Sequence, residues 1–427
     1  MAGGNSRTTA GDPCVGDSCG ELKGENEADR QRLQQMRAWR RDFHTHPELS
    51  RNEWQTRKRI LTVLNDLDIE VREFADHAGV IGVLQGRTPG PCVVLRADMD
   101  ALPIREETSV PYRSQHEGVM HACGHDAHMA ILLDCVRELS RARSTFSGTV
   151  KLVFQPAEED CPEGGAERMI QDGDLRPPGV SAIFGLHVWP DLPTGCVGVR
   201  TGPMMAASDR FIARMVGRSA HASQPHKGCD AVVMAAHAVQ TLFSVVSRRF
   251  DPFVVMALNI GKINGGERYN VIAREVDFEG AVRTLDEDTR QRMSVMVRQV
   301  LESAAGTYAG HCTVEYQFGY PVLCNQEEAV ALLVDSARHI LGPANVRTRI
   351  DPVLASEDFA HYLKYLPGAF FLLGCAQDPT TAPSLHSSQF DLDETCMLLG
   401  SKIMTSTALA ALNHYSVSAE CAPRASD

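Results

Sequence analysis

The chain has 427 residues, 43% of them hydrophobic, and sets 42 basic against 54 acidic side chains for a formal charge of -12. That length exceeds the usual span of one core, so two domains are expected, and the apolar share suits a soluble globular protein. The acidic balance, with no Lys/Arg run beyond doublets and triplets, argues against nucleic acid and anionic membrane as partners.

The thirteen cysteines are scattered without a CxxC pair, which reads as reduced thiols in a cytoplasmic protein. The N-terminus lacks the basic and apolar regions of a secretory signal, and no apolar run is long enough to cross a bilayer. Residues 1–28 are poor in large apolar side chains and read as a disordered extension carrying Cys14 and Cys19.

From Glu27 to about Leu67 the spacing of Leu33, Met36, Trp39, Phe43, Ile60, Leu61 and Leu64 predicts helix, broken in two by Pro47. Two apolar runs follow, GVIGVLQ (79–85) and CVVLRAD (92–98), and the GRTPGP between them has the chemistry of a hairpin turn. A helix is expected after Gly124, with Met129, Leu132, Val136 and Leu139 on one face. TVKLVFQ (149–155) and SAIFGLHV (181–188) read as buried strands flanking a short helix in GGAERMIQDG. Strands alternating with helices predict an α/β sandwich with a mixed, mostly parallel sheet.

Between residues 207 and 318 the order strand, helix, strand, strand, helix, strand predicts an inserted ferredoxin-like βαββαβ unit. The outer pattern then resumes with GAFFLLG as a strand and a final helix from about Asp393. The expected division is therefore 29–206 with 319–427 as one domain and 207–318 as the other.

MHACGHDAHM concentrates three histidines, a cysteine and an aspartate in ten residues. Cys123 and His125 flank Gly124 at the start of a predicted helix, where the helix terminus and a metal would both lower a thiol's pKa. Thiolate and imidazole suit zinc and other borderline metals, while manganese favours oxygen ligands. A capped turn with solvated histidines is the alternative, so further ligands must come from elsewhere. Glu158 and Glu159 follow one predicted strand, His187 ends another, and His386 lies in the loop after GAFFLLG. Open α/β sheets gather ligands beyond the carboxyl ends of their strands, so these segments can converge. Adjacent glutamates offer a hydrolytic site both an acidic ligand and a proton shuttle, although EED is also a common solvated run. Asp98 and Asp100 in RADMDALP can orient a ligand from behind, or simply end a strand.

RADMDALP, MHACGHDAH, VFQPAEE, GLHVWP, NVIAREVDFEGAVR and LHSSQFD together resemble the M20 metallopeptidase family, in particular its amidohydrolase branch, from about Arg37 to Leu412. The resemblance implies a metal-dependent hydrolase of carbon–nitrogen bonds in small carboxylate-bearing substrates, N-acyl amino acids first. An aminohydrolase that deaminates an aromatic amine such as a nitroanthranilate is the alternative, and a non-catalytic metal-binding oligomer stands behind both. It implies one or two divalent ions per subunit, manganese first, with zinc, nickel or cobalt beside it, on Cys123, His125, Glu159, His187 and His386. Glu158 would be the general acid/base. The inserted unit resembles the family's lid, which also joins copies into a homodimer or higher oligomer. Within it His221 would reach a neighbouring subunit's site, while Asn270 and Arg283 would contact the substrate carboxylate. The lid reads AHASQPH where the branch commonly has GHGAMPH, which leaves His226 as a competing lid histidine.

Overall fold

A computed structural model describes residues 26–421, and the expected extension with Cys14 and Cys19 falls almost wholly outside them. Order begins sooner than residue 29. The Asn26 side chain accepts the Asp29 N–H at 2.9 Å and so caps α1 (Glu27–Thr45), which the Pro47 segment separates from α2 (Trp54–Asp66).

The chain continues through β1 (Glu70–Glu73), β2 (Val80–Gln85), β3 (Cys92–Asp98), α3 (His125–Arg141), β4 (Thr149–Gln155), α4 (Ala166–Asp172) and β5 (Ala182–Pro193). Two short strands, β6 (Val197–Gly198) and β7 (Gly202–Met205), lead into the second unit. That unit comprises β8 (Ala207–Val216), α5 (Ala231–Arg249), β9 (Met256–Gly265), β10 (Glu275–Thr284), α6 (Glu287–Gly306) and β11 (His311–Phe318). The chain returns through β12 (Leu323–Asn325), α7 (Glu327–Leu341), β13 (Val346–Arg347), α8 (Ala360–Leu363), β14 (Gly368–Ala376) and α9 (Thr395–Cys421).

The larger sheet has the order β1-β2-β4-β3-β5-β14-β6-β13, with β4, β3, β5 and β14 parallel at its centre. Side chains alternate across it. Val93 and Leu95 face the cluster built by α1, α2, α3, α7 and α9, whereas Val94 faces α4 and α8, giving the expected α/β sandwich. In α3 the predicted face of Met129, Leu132, Val136 and Leu139 is fully buried, each side chain contributing roughly 1.5–3 kcal/mol.

The expected hairpin between the 79–85 and 92–98 runs does not form. β4 lies between them, antiparallel to β2 and parallel to β3. The turn after β2 spends its hydrogen bonds on the segment leading into β4: Gly86 N–H donates to Gly148 O, Arg87 N–H to Phe146 O, and Gly148 N–H to Thr88 O. The turn chemistry was real, but its partner is remote in sequence.

The second sheet is fully antiparallel, ordered β11-β8-β10-β9, with α5 and α6 on one face. Its separate core sets Phe211, Met215, Phe278 and Val282 against Met234 and Leu242 of α5 and Met293 and Leu301 of α6. Asn270 to Arg274 precede β10 as a loop, where Val271 bridges His221.

By length and composition two helices reach what a bilayer span requires, at Ala231–Arg249 and Thr395–Val417, which corrects the expectation of none. Their apolar windows include Ser, Thr, Gln and His, so counting consecutive apolar residues passes over them. Within the protein, α9 packs on α3 and α7, and α5 on α6 and the second sheet.

Candidate active site

The chemistry-bearing segments meet where the parallel strands end. β3 ends at Asp98, β4 delivers Glu158 and Glu159 in the loop after Gln155, and the loop after β14 carries His386. β5 runs on to Pro193, past the expected end at 188, so His187 sits within it. Gly124 makes the α3 entry possible: its φ is +84°, and a Cβ there would lie 2.4 Å from Val188 Cγ2. The tight turn sends Cys123 and His125 into the same space.

In that space Cys123 Sγ lies 3.3 Å from His187 Nε2, and His386 Nε2 lies 3.2 Å from Glu159 Oε1. The donor atoms of Cys123, His125 and His187 fall within 4.8 Å of one another, and those of Cys123, Glu159 and His386 do the same. The two triads share the thiol. His386 adopts φ +63° and donates its backbone N–H to Ala122 O at 2.8 Å, which ties its loop to the cysteine turn.

Hydrogen bonds fix which ring atoms face inward. His125 Nδ1 donates to Asp100, 2.9 Å from its carbonyl and 3.2 Å from Oδ1, leaving Nε2 buried without a partner. His187 Nδ1 donates to Val188 O at 2.7 Å, which aims Nε2 at Cys123. His128 is occupied at both nitrogens, donating to Asp98 Oδ1 at 2.6 Å and accepting the Val188 N–H at 3.0 Å. It therefore has no lone pair to offer a metal in this arrangement. His121 is buried with both ring nitrogens unpartnered, and burial pushes its pKa down to about 4.

The residues present fit a divalent cation. His125 Nε2 and Glu159 Oε1 are both buried without hydrogen-bond partners, and they lie 4.0 Å apart. Buried polar atoms of this kind are rare unless an ion or water meets them. In the protein alone the Cys123 thiol is not acidified. Burial, then the nearby Glu159 and Glu158 carboxylates, push its pKa well above the ordinary value. Burial and the carboxylates of Glu159, Glu158 and Asp98 outweigh the helix terminus. A cation bound among these groups would favour the thiolate.

Glu158 is buried beside this cluster, its Oε1 3.4 Å from the Asp358 backbone N–H. Burial, reinforced by Glu357, Glu159 and Asp358, holds its pKa well above the ordinary carboxyl range. His125 shows the opposite balance: burial works to lower it, but Asp98 and Asp100 raise it to about 10. Asp98 also takes Arg96 Nη1 at 2.7 Å, and Asp100 takes the Ser50 hydroxyl at 2.6 Å, so neither turns freely.

A cavity of about 280 Å³ is lined by Cys123, Glu158, Glu159, His187 and His386 together with Arg283 from β10. Arg283 Nη1 donates to Ser356 Oγ at 2.7 Å, and the guanidinium forms no ion pair among the described residues. His221, His226 and Asn270 do not line this cavity. His221 is exposed, its Nδ1 2.7 Å from Ser223 Oγ, and Asn270 accepts the Ala222 N–H through its carbonyl at 3.1 Å.

Sequence reasoning missed Glu357, Asp358, Glu53 and Tyr320. Glu357 shares the cavity wall and Asp358 binds Arg96 and Gln155. Glu53 is buried and pushed up to about 8 by burial and then by Asp100, while accepting the Ala157 N–H. In sequence, ASEDFA resembles any acidic surface turn, and nothing local marks its burial.

The chain belongs to the peptidase family M20/M25/M40, whose sequence model matches residues 94–410. It is a metal-dependent hydrolase acting on carbon–nitrogen bonds. An N-acetyl-L-cysteine deacetylase of Bacillus subtilis (strain 168) is 39% identical over 373 residues, 86% of each chain. An N-acyl-L-amino acid amidohydrolase of Geobacillus stearothermophilus is 38% identical over 291 residues, 68% of this chain and 78% of that protein. The crystal structure of the Bacillus subtilis YXEP protein, a dinuclear metal-binding peptidase from the M20 family, superposes with a TM-score of 0.78 at 32% identity. The match covers 90% of this chain and 99% of that one.

Proposed function

We propose that this chain hydrolyses the amide bond of N-acyl amino acids. The observation that carries this reading is Arg283: a half-buried guanidinium without an ion-pair partner among the described residues lines the same small cavity as Glu158, Glu159, His187 and His386. A substrate carboxylate is the partner it lacks. Relatives named for N-acyl amino acid substrates support the same class.

In this reading Cys123, His125 and His187 would hold one divalent cation, and Cys123, Glu159 and His386 a second. Asp98 and Asp100 orient the ligands from behind. Manganese is the first ion to try, with zinc, nickel and cobalt beside it. A bound cation supplies Lewis acidity toward the scissile carbonyl and toward water. Glu158, through the carboxyl oxygen that Asp358 does not hold, takes a proton from the attacking water. As the carbon–nitrogen bond breaks it returns that proton to the departing amine nitrogen. Burial beside Glu357, Glu159 and Asp358 raises its pKa, which favours holding the proton it must return to the amine.

Arg283→Met should raise KM for an N-acyl amino acid by ~10- to 100-fold, since a hydrogen-bonded charge pair contributes about 1.5–3 kcal/mol. An unchanged KM would remove the carboxylate assignment. Product analysis separates the substrate classes: a free acid with an amino acid supports this reading, and ammonia with a hydroxylated ring supports the aminohydrolase of aromatic amines instead.

The four-stranded unit is read here as a lid that joins two copies. β9 is an edge strand, and Ile263, Val255 and Val271 near it are exposed, as are Val232, Val233 and Phe243 of α5. An unprotected edge beside exposed apolar side chains is what a second copy would cover. His221 lies in this same unit, away from its own chain's cavity, and in such a dimer it would serve the partner's site, with His226 as the competitor. Phe243→Glu combined with Ile263→Lys should give a monomer by sedimentation and lower kcat; a dimer that persists would move the interface elsewhere.

A further inference from the structure

The peptide unit joining Glu158 to Glu159 is gripped at both of its polar atoms. Its N–H donates to Asp100 Oδ2 at 2.9 Å, and its carbonyl accepts the Tyr320 hydroxyl at 2.5 Å. One residue earlier, Ala157 takes φ +57° and donates its N–H to Glu53 Oε1 at 2.8 Å. A non-glycine residue in the left-handed region is costly and holds only where its surroundings insist on it.

Tyr320 holds the Glu158 carbonyl and Asp100 holds the Glu159 N–H, so each end of this peptide unit is fixed by its own partner. Glu158 is directed to the Asp358 N–H, and Glu159 to His386 and His125. A flip of the plane would bury a carbonyl without a donor and an N–H without an acceptor, each worth about 1–3 kcal/mol.

Asp100 grips from the larger sheet, but Tyr320 does not come from there in chain order. It directly follows β11 and Gly319, at the point where the chain leaves the four-stranded unit. The Tyr320 carbonyl accepts the Ser208 N–H of the incoming crossing at 3.0 Å, so both crossings lie side by side. Beside them Asp209 accepts from Arg290, the Tyr316 hydroxyl and the Gly319 N–H, which makes this junction stiff. Tyr320 also lines the cavity and packs edge-on to His361, with ring centroids 6.0 Å apart.

We infer that Tyr320 is a positioning residue for the reaction: its hydroxyl, carried on the return crossing from the four-stranded unit, sets the 158–159 peptide plane and so aims Glu158. This rests on the reading of Glu158 as the acid/base. It also gives the four-stranded unit a route to the proton-transfer group within a single chain, through one hydrogen bond.

Tyr320→Phe tests it, because the ring keeps its packing and only the hydroxyl goes. The variant should lose ~10- to 100-fold in kcat, keep KM within about threefold, and retain wild-type metal content and Tm. A kcat within about twofold of wild type overturns the inference, as does a loss that metal content or Tm follows in parallel. A cycle with Glu158→Asp, which keeps a carboxyl on a shorter arm, supplies the second reading. If Tyr320 acts through Glu158, removing the hydroxyl from the Glu158→Asp enzyme costs about threefold or less; a full, additive loss in the double variant overturns the proposal. Near-normal activity in Glu158→Asp and in Glu158→Gln would instead overturn the acid/base reading, an outcome separate from the Tyr320 result.

Discussion

Glu158→Gln is expected to lower kcat by ~10²- to 10⁴-fold while the protein still binds its metal, the range that a positioned proton-transfer group commands. The amide fills the same volume but can neither take a proton from water nor give one to the leaving amine. Elemental analysis of the purified variant, alongside kcat, separates this from a loss of metal. Near-normal turnover in a metal-replete variant would move the proton transfer to another group.

The same substitution has a second, opposite signature in the metal-free protein. Burial and then Glu357 raise the folded-state pKa of Glu158 above its unfolded value. The protonated folded form is therefore favoured: its contribution to stability is whole below the unfolded carboxyl pKa and is lost as pH rises toward the folded one. Removing that charge with Gln should make the metal-free protein more stable than wild type at pH 7 to 8, and the gap should close toward pH 4. Urea unfolding at the two pH values measures it. A variant that is less stable than wild type at pH 8 would mean that Glu158 is held ionised by a partner other than those around it here.

Cys123→Ala should produce the other large effect. The thiol belongs to both donor triads, so its loss weakens both at once. Partners that merely orient a ligand cost 10- to 100-fold in metal affinity when removed, and loss of a shared ligand should exceed ~100-fold. The variant is expected to purify with much less than the wild-type metal content and to be inactive until metal is supplied in large excess. Since ligand-bound states gain stability by mass action, chelation should also lower the wild-type Tm and leave that of the variant nearly unchanged. Unaltered metal content in the variant would show that the histidines and Glu159 suffice without the thiol.

The residue types of the site were legible because its pieces are short and chemically dense. Cys123 and His125 straddle a glycine at a helix start, Glu158 and Glu159 follow an apolar run, His187 falls near the end of the apolar stretch 181–188, and His386 follows GAFFLLG in a loop. Strand ends in a parallel sheet share one edge, so the periodicity of local segments was enough to suggest that four distant stretches meet. The βαββαβ order was legible for a similar reason, since each element carries its own pattern of burial, as the strict alternation along β10 illustrates. The sequence marks Arg283 as a candidate, but its lack of an ion pair among the described residues appears only in the folded chain.

What the sequence by itself determined was local: which stretches bury a face, where a helix must start, and which donor atoms were available. Tertiary structure decided how those stretches pair and which groups end up dry. GRTPGP forms a turn, yet β4 enters beside β2 because the hydrogen bonds of that turn go to residues 146–148. His128 sits four residues along α3 from Cys123's turn and is closed to a metal, because Asp98 and Val188 take both of its nitrogens. Glu357 and Glu53 read as ordinary acidic residues until burial raises their carboxyls to about 8. The physical reason is the same in each case: hydrogen-bond partners and desolvation are contributed by residues far away in the chain, and neither leaves a mark in the local pattern.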